Sequence, residues 1–206
     1  MPLSATSVRE ALLPFNVPVD DRLAAQISRY VDLLLFWNQK VNLTSVTSPA
    51  EILTRHFGES MFAADLIEPR DGRLVDVGSG AGFPGLPLKL ACLGLRIRLV
   101  EPVMKKAVFL SEVVRGLDLS GVDVVRSRIE ELPTAEVDMI TSRALGGTPE
   151  LLDWAKRSLT PRGRILLWLG SGDAAGTIRT PGWEWWDAVP IPLSSKRVIQ
   201  PGSPLY

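Results

Sequence analysis

Four glycines stand within eight residues in the stretch VDVGSGAGFPG, residues 75–85: Gly78, Gly80, Gly82 and Gly85. They follow the apolar run Leu74-Val75-Asp76-Val77 and precede a return to a helix-forming pattern. Such spacing permits a tight turn at the end of a strand and lets a ligand come close to the backbone. The loop lacks the Lys-Ser/Thr ending of a phosphate-binding P-loop, so nucleoside triphosphate hydrolysis is not expected. Glu101 lies 25 positions after Asp76, at the end of a second apolar run. A carboxylate there can accept both hydroxyls of a ribose, a feature common to nicotinamide dinucleotides and S-adenosylmethionine. Asp76, immediately before the loop, leans toward S-adenosylmethionine, which carries an ammonium and a sulfonium but no pyrophosphate.

Other side chains could do chemistry. Arg143 follows a fourth apolar run, where a charged group is rarely buried unpaired. His56 is the sole histidine, and both a substrate-side role and a hydrogen-bonded helix position remain open for it. The lone Cys92 lies in the apolar context LKLACLGL and reads as a buried structural thiol, not as a nucleophile. One cysteine excludes an internal disulfide and a multi-cysteine metal site, and no metal is expected.

These residues need elements to hold them. Apolar positions predict helices over residues 4–13, 19–37 and from Ser48 toward Leu66, with Asp20 or Asp21 capping the second. After Gly72 short apolar runs alternate with helical segments. Strands are expected at 73–77, 97–101, 122–126, 137–142 and 164–169, with helices at 84–93, 105–115 and 149–159. This alternation is the mark of a parallel α/β sheet. Residues 170–182 read as a loop, and 183–190 with 197–200 as a final antiparallel pair. The expected organisation is one unit, a helical extension over 1–70 and an α/β cofactor-binding core over 71–206.

With 206 residues and 46% hydrophobic content the chain can bury a substantial core. Lys+Arg and Asp+Glu both number 23, so any basic face must be local. Candidate phosphate binders are the pairs Lys105 and Lys106, Arg126 and Arg128, Arg162 and Arg164, and Lys196 and Arg197. Asn42 reads as a loop-shaping residue, and the alternating Trp183, Trp185 and Trp186 as packing. The N-terminus shows no signal-peptide pattern and no run is long enough to span a membrane, so a cytoplasmic protein is expected.

In order, WNQKVNLTSVTSPAEILTRHFGES, VDVGSGAGFPGLPL, EPVMKKAVFL, SRIEEL and SRAL resemble the bacterial glucose-inhibited division protein B family. Its members are 16S ribosomal RNA guanine-N7 methyltransferases. The similarity runs from near Tyr30 to Gly170. It implies a Rossmann-like, class I S-adenosylmethionine-dependent methyltransferase fold with N-terminal helices, acting as a monomer on 16S ribosomal RNA or the small ribosomal subunit. It also implies roles: Gly78 and Phe83 lining the methionine side of the cofactor, Glu101 holding the ribose, and Ile129 and Glu130 contacting the adenine. Arg143 would face cofactor and substrate as the catalytic residue, while Asp76 and Gly80 complete the cofactor loop.

The chain departs from the family at Leu169, where relatives carry a lysine, and at Glu59-Ser60, where an aspartate is customary. Ser142-Arg143-Ala144-Leu145 stands where exocyclic-amine methyltransferases carry an Asn/Asp-Pro-Pro-aromatic turn. Guanine N7 attacks through an in-plane lone pair and loses no proton, so positioning is needed and a base is not. Two alternatives are a nicotinamide-dependent oxidoreductase, which lacks a Tyr-Lys pair near the sheet, and a non-catalytic RNA-binding relative, which Leu169 keeps open.

Overall fold

The computed structural model describes residues 3–134, 136–143 and 148–206. The N-terminal extension contains α1 (Ala5–Leu12) and α2 (Asp21–Asn38). Asp20 caps α2 by accepting the Leu23 N–H at 2.7 Å, and the helix buries Ala24, Ile27, Tyr30, Val31 and Leu34 along one stripe. The third helical stretch is not the regular α-helix that its spacing suggests. It passes from α3 (Pro49–Glu51) through a π-helical segment, Ile52–Gly58, to α4 (Glu59–Met61) and a 3₁₀ turn, Phe62–Leu66. Every residue from His56 to Met61 is buried, so this segment is enclosed on all sides. The wider turn re-aims side chains that a single apolar stripe would not bring inward.

The core alternates β1 (Arg73–Val77), α5 (Gly85–Ala91), β2 (Arg96–Val100), α6 (Met104–Gly116), β3 (Val122–Val125), β4 (Val137–Ser142), α7 (Pro149–Ser158) and β5 (Leu159–Gly170). Then follow α8 (Ser171–Thr177), β6 (Trp183–Trp185), β7 (Val189–Pro190) and β8 (Arg197–Pro204). The sheet order is β3-β2-β1-β4-β5-β8-β6, with β7 also on β8. Strands β1 to β5 are parallel, and β8 runs antiparallel to β5. The order reverses between β1 and β4, and open α/β sheets bind ligands in the crevice at the carboxyl ends beside such a reversal.

The central strands β1 and β4 and the second half of β5 are buried on both faces, whereas β3 at one edge is half-buried. In β5, Leu166 and Trp168 join the cluster shared with the N-terminal helices, whereas Ile165, Leu167 and Leu169 join the one beneath α7. The first cluster runs without a break from Val8 and Tyr30 to Leu99 and Phe109, so the extension and the sheet pack against each other directly.

Two expectations are corrected. Residues 170–182 are not all loop: Ser171–Thr177 form α8. Its Gly172 and Gly176 lower helix propensity, but Ala174 and Thr177 are buried and tertiary packing outweighs it. The last strand is longer than 197–200 and pairs with β5 as well as with β6 and β7. Pro201 and Pro204 argue against a strand by sequence. Among the described residues, no helix is long and apolar enough to cross a membrane.

Candidate functional site

The glycine loop leaves β1 and folds over the end of β2. Gly78 and Ser79 donate their N–H groups to the Val100 carbonyl at 2.9 and 3.0 Å. Gly78 has φ 72°, a left-handed conformation that a branched side chain adopts only under strain. The Glu101 carboxylate is 4% exposed. One of its oxygens accepts from Gly80 N–H and the other from Val103 N–H, both at 2.9 Å. Each oxygen keeps acceptor capacity for a hydroxyl. Gly78, Gly80, Glu101, Lys106, Ile129 and Glu130 line one cleft of about 530 Å³, the last two from a 3₁₀ turn after β3. Gly78, Gly80, Glu101, Ile129 and Glu130 are five of the eight residues expected at the cofactor, and Asp76, Phe83 and Arg143 are not among the lining.

Asp76 lies elsewhere. It is fully buried beneath the loop, accepting from the Thr141 hydroxyl at 2.8 Å and from Gly85 N–H at 3.3 Å. Burial pushes its pKa up to about 6. Its carboxylate therefore sits against the start of α5, the position at which dinucleotide-binding loops receive a pyrophosphate. A further anchor escapes the sequence: Tyr30, fully buried on α2, donates to the Ala81 carbonyl at 2.6 Å. A Cβ at Gly82 would run into that tyrosine hydroxyl and come within 2.6 Å of a Leu86 methyl. The glycine is what lets the loop and α2 close on each other.

Phe83 and Arg143 do not line the cleft but meet beside it. Phe83 is buried and stacks on Tyr30 (centroids 5.4 Å apart, planes 5° apart) and on His56 (4.7 Å, 26°). The Arg143 guanidinium lies 5.3 Å from the Phe83 ring centroid and donates to His56 Nδ1 and the Arg55 carbonyl, both at 3.3 Å. Burial, then Arg143, pushes the His56 pKa down to about 3. Glu59, 4% exposed, is held by a two-pronged ion pair with Arg197 on β8, the Nε arm being 3.0 Å. Ala144 and Leu145 of the SRAL stretch lie outside the described residues.

The remaining candidates separate by position. Lys106 and Arg128 border the cleft, while Arg197 is taken by Glu59 and Arg164 pairs with Glu68 at 3.6 Å. Lys105, Arg126, Arg162 and Lys196 are exposed. Asn42 is exposed, and the loop-shaping side chain is Asn38, bonded to Leu43, to Thr44 N–H and to the Thr44 carbonyl. Cys92 is buried, and burial pushes its thiol pKa up. Leu169, 5% exposed, faces the apolar cluster beneath α7. Trp183 and Trp185 stack on one another at 5.2 Å. Neither tyrosine is placed for hydride chemistry, since Tyr30 holds the loop and Tyr206 donates to the Leu159 carbonyl at 2.9 Å.

Comparison with known proteins agrees with this geometry. Residues 23–177 match the model of the family described as rRNA small subunit methyltransferase G. The ribosomal RNA small subunit methyltransferase G of Roseiflexus castenholzii is 42% identical over 162 residues, covering 76% of this chain and 69% of that one. The protein of the same name from Stenotrophomonas maltophilia is 35% identical over 193 residues, 93% and 90% of the two chains. In fold, the chain resembles an S-adenosylmethionine-dependent methyltransferase from Aquifex aeolicus, with TM-score 0.65 at 16% identity over 78% of this chain and 96% of that one. A glycine loop folded over a buried carboxylate, an arginine just after β4, and this extent of sequence identity lead to one conclusion: the chain belongs to the rRNA small subunit methyltransferase G family.

Proposed function

We propose that this protein transfers the methyl group of S-adenosylmethionine to N7 of a guanine in 16S ribosomal RNA of the small subunit. The observation that carries the reading is the cleft in which Gly78, Gly80, Glu101, Ile129 and Glu130 converge, with a glycine loop whose Phe83 ring carries the Arg143 guanidinium. The donor set fits the cofactor: Glu101 offers unused lone pairs to a ribose diol, and the Ile129 and Glu130 turn offers a backbone amide and an acid to an adenine edge. The Asp76 carboxylate beneath the loop favours a cationic ligand and disfavours a pyrophosphate.

When bound, S-adenosylmethionine supplies an electrophilic methyl group on a sulfonium. The chain's own residues do the rest by placement. Gly78 and Gly80 keep the loop backbone accessible, and Glu101 fixes both the loop and the ribose end of the cleft. Arg143, held over Phe83, presents N–H donors to the guanine. A guanidinium can donate to O6 while N7 stays free to attack. His56 Nδ1 is taken by Arg143 and the Glu59 carboxylate by Arg197, and no base is required, because N7 carries no proton. Lys106 and Arg128 at the rim are placed to meet RNA phosphates.

The test is to incubate the protein with unmethylated small subunits and methyl-labelled S-adenosylmethionine, digest the RNA and identify the labelled nucleoside by mass. N7-methylguanosine is expected. Label on an exocyclic amine or a ribose, or no label with either subunits or free RNA, overturns the reading.

A further inference from the structure

We propose that His56 is a positioning residue: a neutral hydrogen-bond strut that aims Arg143 at the substrate, itself braced through Thr44 by Asn38. The proposal rests on the reading of Arg143 as the substrate-side cation. A guanidinium only donates, so the 3.3 Å contact from Arg143 requires Nδ1 of His56 to be the bare nitrogen. The ring proton must then sit on Nε2, where it donates to the Thr44 hydroxyl oxygen at 2.9 Å.

Thr44 is held in turn. Its hydroxyl accepts from Val46 N–H at 3.1 Å. Asn38, at the end of α2, accepts from Leu43 and Thr44 N–H at 2.8 and 3.0 Å and donates to the Thr44 carbonyl at 2.9 Å. The stretch WNQKVNLTS thereby acquires a physical purpose, and a chain of hydrogen bonds runs from α2 to the end of β4. The charged groups facing His56 are Arg143 after β4, Arg55 on its own helical segment and Arg197 on β8. All three are cations, so each opposes protonation of the ring. Stacking on Phe83 fixes its plane. In this arrangement His56 cannot serve as a base through Nδ1 unless Arg143 leaves.

His56 is the single histidine of the chain, so its nitrogens can be read without assignment work. In the full-length protein labelled with ¹⁵N-histidine, we expect a protonated Nε2, a bare Nδ1 and no titration between about pH 5 and 8. A proton on Nδ1, or titration near the ordinary histidine pKa of about 6.5, overturns the proposal. Two variants then separate aiming from packing. His56→Phe keeps a ring on Phe83 but loses the acceptor, whereas His56→Asn loses the ring but keeps an acceptor near Nδ1. Aiming predicts a fall in kcat on the order of 100-fold for His56→Phe at unchanged cofactor affinity. For His56→Asn the fall should stay within about tenfold. The reverse ranking, or equal losses, overturns it. Failure of the wild-type protein to label any RNA would instead sink the reading of Arg143 and leave the tautomer measurement standing.

Discussion

The two halves of the site are built on different principles. The half proposed to hold the cofactor is made of backbone and consecutive segments: the loop after β1, the acid after β2 and the turn after β3. The half proposed to face the substrate is made of side chains carried in from distant parts of the chain, with His56 on the π-helical segment, Arg143 after β4 and Arg197 on β8. The first holds its shape through hydrogen bonds to Glu101 and Val100 that span at most a few tens of residues. The second depends on contacts spanning 87 and 138 positions. Damage to the first should therefore show in cofactor affinity, and damage to the second in turnover or stability.

The largest effect is expected from Arg143→Ala. Removing a preorganised donor at a reacting group costs on the order of 100- to 1,000-fold in turnover, and calorimetry should find cofactor affinity much less affected, because Arg143 does not line the cleft. A loss confined to cofactor affinity would erase the division between the halves. On the other side, Gly78→Val should weaken cofactor binding by about 10- to 100-fold through strain at φ 72°. Glu101→Ala should cost about 1.5–3 kcal/mol of binding, having also released Gly80 and Val103 N–H groups. Normal affinity in a folded Gly78→Val protein would remove the loop from the cofactor site.

Arg197→Ala sharpens the comparison through stability. It strands a carboxylate that is 4% exposed. Breaking a fully buried pair costs about 3–5 kcal/mol, and the partial exposure of Arg197 reduces this to about 2 kcal/mol, measurable by denaturant unfolding. An unchanged midpoint would mean that Glu59 finds another partner.

The smallest effect is a pH slope. Asp76 titrates near 6 in the folded chain against about 3.8 unfolded. The folded state binds the extra proton between these values, so its contribution to stability is full below about pH 4 and lost as pH rises through 6. His56 titrates near 3 against about 6.5, so its contribution is present above 6.5 and lost as pH falls toward 3. Between about pH 4 and 6 the two oppose each other. His56→Asn should unmask the Asp76 slope, with stability falling by about 1 kcal/mol per pH unit over that window. Asp76→Asn should unmask the opposite slope. Identical profiles in all three proteins would show that neither group is buried as described.

How much of this was legible follows the same division. Glycine spacing and an acid at a strand end are local signals, so the loop and Glu101 can be read directly. Asp76 could be placed at the loop, but not beneath it, because a strand residue before a turn can point to either face. Tyr30 read as one apolar position in a helical stripe, and its hydroxyl acquires meaning only where Gly82 leaves room. For α8 and the length of β8, local propensity pointed the wrong way and burial overrode it.

The sequence by itself determined the α/β alternation, the first four parallel strands to within a residue of their observed bounds, the core of the fifth, which begins five residues earlier than expected at Leu159, and the turn chemistry of the glycine loop, since hydrophobic period and turn residues act over a few positions. Only the tertiary structure decided which face each strand shows, that β8 lies between β5 and β6, and that His56 and Arg143 meet over Phe83. Those outcomes depend on the simultaneous burial of residues far apart in the chain. A hydrogen bond from β4 to a π-helical turn has no local signature, because its partners are chosen by packing and not by spacing.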